Sequence, residues 1–157
     1  LEVTVPREDL SRRRPWGGSY DGTPPDRLAS MVKAEDPKAL LLFLLREFES
    51  HGQQSLGCKA LSELAPESPY SVGALSHLNA SSALTRAVAL HGRSAAVLGE
   101  CFFALAHLIR GNARSFEEAL RGDAAHLAFE STKLHQGDSR VVHAAASLLS
   151  LLLTTAS

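Results

Sequence analysis

LHGRSAAVLGECFFALAHL (Leu90–Leu108) and LHQGDSRVVHAAASLLSLL (Leu134–Leu152) decide the fold. Each opens on Leu-His, passes through a short polar turn and ends in a leucine-rich stripe. Leu90 and Leu134, His91 and His135, Leu105 and Leu149, and Leu108 and Leu152 all stand 44 residues apart. Upstream, SHGQQSLGCKALSEL (Ser50–Leu64) ends the same way, because Leu61 and Leu64 precede Leu105 and Leu108 by the same 44 residues. The chain therefore reads as three copies of one unit, and a period in the low forties is the mark of stacked helical repeats.

Working outward, Leu105/Leu108 and Leu149/Leu152 have the i, i+3 spacing of one helix face. Long apolar helices are predicted over about Ser94–Arg110 and Ser139–Thr154. Asn79 and Asp123, again 44 apart, precede middle helices over Ala80–His91 and Ala124–His135 and read as N-caps. Gly92 and Gly137 read as loosening the ends of those helices. Shorter helices are predicted over Tyr70–Leu78 and Arg114–Gly122, with Val72 and Phe116 in register. In the first copy the middle helix is Pro37–His51 and the long helix Ser55–Ala65, with a short helix over Asp26–Asp36. His51 stands only 40 residues before His91, which predicts that about one helical turn is missing there. Pro37, Pro66 and Pro69 fall where helices begin or end.

The 157 residues suffice for one domain with a sizeable core. Sixteen Lys and Arg against 17 Asp and Glu leave a net charge of −1, so no overall field draws the chain to nucleic acid or an anionic membrane. The longest apolar run, Val141–Leu153, contains His143, Ser147 and Ser150 and is shorter than the ~20 residues of a membrane helix. It reads as a core helix, without membrane insertion. The chain shows neither an initiator Met nor a secretory pattern at its start, so residue 1 is read as an internal position of a longer product. Cys58 and Cys101, lacking a C-x-x-C neighbour, read as two buried free thiols in a reducing intracellular compartment. The cytoplasm is the first expectation and an organelle the alternative.

Residues 1–25 differ from the rest. RRRPWGGSYDGTPP (Arg12–Pro25) mixes Pro, Gly and charge without helical period and reads as an extended arm. Arg12, Arg13, Arg14, Trp16 and Tyr20 are residue types that carry interface energy, so the segment reads either as one that docks on a partner, folding as it binds, or as a simply disordered tail. Residues 26–157 form the helical repeat domain, with units at about 26–66, 67–111 and 112–157.

HGQQSLGCKALSELA (His51–Ala65) resembles the armadillo pattern: a His closing the second helix, a polar turn, a Gly-Cys pair, then A-L-x-x-L-A on the third helix. The stretches from His91 and His135 look like weaker versions, and the similarity runs from Pro37 to Thr154. Phe102 and Phe103 depart from it, being bulkier than the small residues usual there. The resemblance implies an all-α, right-handed armadillo-like α-solenoid of about three repeats whose third helices line a concave face. It also implies protein–protein interaction without a cofactor. Gly57, Cys101 and Ala145, spaced by 44, would then let adjacent third helices approach closely. Importin-like members grip peptides with a ladder of Trp and Asn on the third helix. Trp16, the only Trp, lies outside the repeats, so nuclear-signal recognition of that kind is not expected.

His51, His91 and His135 invite a metal reading, but stacked repeats hold equivalent positions about 10 Å apart, too far for one ion. A capping or inter-helix hydrogen bond near a helix C-terminus is expected instead. No nucleophile elbow, zinc-protease motif, phosphate loop or dinucleotide fingerprint is present, and we expect neither an enzyme nor a cofactor or metal. Lys59, Glu63, Glu100, His107, His143 and Ser147 are polar residues on apolar third helices. They are the candidate contacts for an extended peptide or partner helix, in an adaptor or scaffold. The alternative is a permanently assembled accessory subunit of a larger complex. VVHAAASLLSLLLTTAS (Val141–Ser157) reads as apolar on nearly every side, without the polar outer face of a terminal repeat. Leu151 and Leu153 are its candidate contacts.

Overall fold

The computed structural model describes residues 20–110 and 112–156, and all regular structure among them is helical. Arg12, Arg13, Arg14 and Trp16 lie outside the described residues. The order is α1 (Pro24–Lys33), α2 (Pro37–Arg46), α3 (His51–Leu64), a 3-10 turn (Ala65–Glu67), α4 (Pro69–His77), α5 (Ala80–Leu90), α6 (Ala95–Ile109), α7 (Ala113–Arg121), α8 (Ala124–Leu134) and α9 (Ser139–Ala156). The predicted short, middle and long helices fall within these bounds to one or two residues in the second and third copies. The long helices α3, α6 and α9 pack side by side with α6 between the other two, and α5 and α8 pack against α6 and α9. Leu61, Leu64, Leu105, Leu108 and Leu152 are buried as the stripe required, and Leu149 is half-buried.

The backbone repeats more regularly than the side chains. Glu35, Asn79 and Asp123 are the non-glycine residues with positive φ among those described, at 52°, 60° and 65°. They are 44 residues apart, and their N–H groups donate to Val32, Ser76 and Leu120, also 44 apart. Asn79 and Asp123 are therefore not side-chain N-caps: neither makes a capping bond. They serve as left-handed corners, which Asn and Asp tolerate better than most residues. Gly92 and Gly137 lie outside the positive-φ positions, so the freedom expected of them is used at the corners instead.

A second periodic turn corrects the reading of the first copy. The N–H of Glu47, His91 and His135 donates to Phe43, Ala87 and Ser131, closing α2, α5 and α8 identically. Ser50, Ser94 and Asp138, each three residues on, donate back to Glu47, His91 and His135. Their side chains then accept from Gln53, Val97 and Val141 at the start of each long helix. These are the true N-caps. His51 thus opens α3 rather than closing α2, its place in the period is taken by Glu47, and no helical turn is missing.

Three further corrections concern packing. Cys58 and Cys101 are not free thiols: they form a disulfide between α3 and α6, both residues fully buried. The observation behind a reducing compartment is thereby removed. Gly57 makes room inside its own unit, not between long helices, since a Cβ there would meet Leu44 Cδ2 at 2.6 Å. Finally, α9 is not apolar all round. Val141, Ala144, Ala145, Leu148 and Leu152 are buried, while Ser139, Arg140, His143 and Ser150 hold a polar exposed face alongside Ala146.

Candidate functional site

The layer of long helices has a face turned away from the buried leucines. On α6 it carries Ala96, Glu100, Phe103 and His107, whose i, i+3/i+4 spacing puts them in one row. Phe103 is half-buried and forms the centre. The His107 ring stacks on it at 6.0 Å between centroids, and the His143 ring of α9 meets its edge, also at 6.0 Å. Three residues before Phe103 on α6, Glu100 pairs with Arg140 at the start of α9. The Arg140 stem crosses Gly99, where a Cβ would stand 3.3 Å from its Cγ. A glycine at this position is what lets the guanidinium reach across.

Three of the six polar residues expected on this face, Glu100, His107 and His143, are thus drawn into one cluster. Lys59 and Glu63 are exposed on the adjoining α3, one turn apart, beside a pocket of 130 Å³ that Leu56 shares with Pro25, Leu28 and Ala29 of α1. Ser147 is half-buried one turn beyond His143. Leu151 packs against the core and Leu153 is 67% exposed. Tyr20 is half-buried, with its hydroxyl donating to Asp36 Oδ2 at 2.6 Å, so the end of the arm is tied to the start of α2.

Phe103 and Arg140 were missed by sequence reasoning. Phe103 stood out only as too bulky for its position, and that bulk is the signal which now marks it as the platform. Arg140, the second residue of α9, follows a polar stretch of ordinary composition, where nothing in the sequence singled it out.

Electrostatically the cluster is balanced. Burial, with the Arg110 guanidinium adding to it, holds the His107 imidazole below the usual histidine range. At neutral pH Phe103 is therefore stacked by an uncharged heterocycle. Together these groups offer an aromatic surface, an uncharged ring with hydrogen-bonding nitrogens and an ion pair exposed on its cationic side.

The repeated histidines lie elsewhere, at the junctions between successive units. His91 Nε2 is 2.7 Å from the Phe48 carbonyl oxygen and His135 Nε2 is 3.0 Å from that of Gly92, each reaching back 43 residues. Each bond joins the turn that closes one middle helix to the turn that closes the preceding one, next to the helix C-termini. His51 and His91 also wall a cleft of 660 Å³ with Arg93, Glu130 and Leu134. Among the described residues no three His, Cys, Asp or Glu side chains are grouped to hold a metal ion, and no described helix is long and apolar enough to cross a membrane. No protein-family model, curated protein or solved structure matches this chain.

Proposed function

We propose that this chain is a non-catalytic binding module: an armadillo-like solenoid of about three repeats that takes an extended peptide or a partner helix on the concave face of its long helices. The observation that carries the reading is Phe103, a half-buried aromatic ring that packs against the core on one side and meets two histidine rings. Aromatic residues fixed in this way bury large contact area at little conformational cost, which is why they dominate binding surfaces. The Arg140–Glu100 pair on the same row of α6, and Lys59 and Glu63 exposed on α3, supply polar groups suited to fixing a peptide's register.

Selection from a displayed random-peptide library tests this. Peptides enriched on the wild-type chain should bind it at micromolar affinity and lose at least tenfold on Phe103→Ala, whose fold is checked by circular dichroism. A library that yields no binder, or binders indifferent to Phe103→Ala and His143→Ala, overturns the proposal.

A second reading, the permanently assembled accessory subunit, draws support from Phe129 and Leu134 of α8, which are 52% and 64% exposed at the same end of the chain as α9. Light scattering on the purified chain decides it. A monodisperse monomer that stays soluble at high concentration sinks this reading and leaves the first intact.

A further inference from the structure

The two junctions between long helices are closed differently. Cys58 is the eighth residue of the fourteen in α3 and Cys101 the seventh of the fifteen in α6, so the disulfide joins the helices at their middles. Both residues are fully buried. Forty-four residues on, the same two positions are Phe102 and Ala145, also buried and incapable of a covalent link. The α6–α9 junction is crossed instead by the Arg140–Glu100 pair and the Phe103–His143 contact.

We propose that the disulfide is a redox-controlled lock on the first three helices, which open from α6 when it is reduced while α5–α9 stay closed. The argument is one of position. Helix α6 is held from several directions, by α3, α5, α7 and α9, whereas α3 has α6 as its principal partner beyond α1 and α2. In a stacked array each unit is stabilised mainly by its neighbour, so an end unit that loses a cross-link loosens alone. The interface is not destroyed by reduction, because two buried thiols pack as small apolar groups. What changes is the freedom of α1–α3 to separate.

The chemistry balances with a dithiol as reductant. Thiolate attack breaks the Cys58–Cys101 bond through a mixed disulfide; two electrons pass to the two sulfurs, each of which ends with a proton, and the reductant leaves as its own disulfide. Neither sulfur is exposed, so attack follows transient opening of the junction. Reduction is accordingly expected to be slow in the folded chain and to accelerate in mild denaturant.

The test is hydrogen exchange on the full chain, oxidised by glutathione disulfide, reduced by dithiothreitol, and as the Cys58→Ala/Cys101→Ala variant, with thiols counted by mass spectrometry. In the oxidised chain, α3 and α6 should be protected alike. Reduced wild type and the double variant should agree, with amides of α1–α3 exchanging at least tenfold faster and those of α6 and α9 within about twofold of the oxidised chain. Exchange that rises equally in all helices makes the bond a general staple and overturns the proposal. So does exchange that does not change, or a chain that keeps two free thiols after oxidation. The readout makes no use of peptide binding, so it stands or falls apart from the proposed function.

Discussion

At the junction of α3 with α6 the strongest link is at the centre of the helices, apolar in its surroundings and closed to solvent. At the junction of α6 with α9 the identifiable links lie at the open face: an ion pair whose arginine is 58% exposed, and an aromatic contact to an exposed histidine. The two junctions share one backbone plan, down to the histidine that bonds the preceding turn in each. One backbone plan is thus tied by a salt-independent bond on one side and, on the other, by solvent-sensitive contacts added to the buried packing of Phe102 and Ala145. The proposed binding face spans both junctions, so while the disulfide is intact its α3 side is the fixed half and its α9 side the one that responds to salt and pH.

The comparison breaks most visibly at the disulfide. A loop of this length, once cross-linked, stabilises a fold by about 2–4 kcal/mol through the restricted unfolded chain. For a domain of this size that corresponds to a fall in melting temperature of roughly 5–15 °C in the Cys58→Ala/Cys101→Ala variant. Melting curves of the variant and of wild type with and without dithiothreitol measure it. A variant that melts with oxidised wild type would mean the two junctions are held equally well.

Gly57 and its counterpart Ala145 offer a smaller effect of the same sign, reached by opposite changes of volume. Adding a methyl at Gly57 drives it into Leu44 of α2, and such overpacking costs about 1–3 kcal/mol. Removing the methyl in Ala145→Gly costs about 1 kcal/mol through helix propensity. Chemical denaturation of Gly57→Ala and Ala145→Gly should therefore show that each unit rejects the other's residue. A stabilised Gly57→Ala would mean that Leu44 repacks freely.

This pair also shows how much of the molecule could be read beforehand. The 44-residue period was legible because leucines in the core have few substitutes, and the helix order followed from it. The corners were not. Asn79 and Asp123 favour both N-caps and left-handed turns, and Glu35, which completes the series, favours neither, so composition alone does not decide the role. The disulfide was illegible for a geometric reason: Cys58 and Cys101 are 43 residues apart, one short of the repeat, and meet only because neighbouring helices present offset faces to each other. Of the candidate site, the polar members on long helices could be listed, but their grouping around Phe103 depended on Arg140 and His143 arriving from the next helix.

Weaker still is the ion pair at the second junction. Arg140→Met leaves the Glu100 carboxylate, whose side chain is only 11% exposed, without its cation. The cost is about 1 kcal/mol, since the exposed arginine was already screened by water. Glu100→Gln/Arg140→Met should recover part of the loss, and raised salt should shrink the difference between wild type and Arg140→Met. A cycle with no coupling would remove the pair from the account of the junction.

The smallest effect is the one that titrates. Because the folded chain holds His107 below its unfolded value of 6.5, the unfolded chain binds the greater number of protons as pH falls through that region. Stability associated with His107 is thus complete above pH 6.5 and is lost as pH drops below it. Glu118 works in the opposite sense: burial raises its carboxyl despite Arg114 and Arg121, so its contribution is present in acid and lost as pH rises through the raised value. A bare pH curve mixes the two, and the difference between wild type and His107→Gln isolates the first. Denaturation midpoints should separate by less at pH 7.5 than at pH 5.5, with wild type losing more on acidification and the variant following the flatter curve. Equal slopes for wild type and variant would mean that His107 keeps an ordinary affinity for protons, and that the α9 side of the face has no response to pH at this ring.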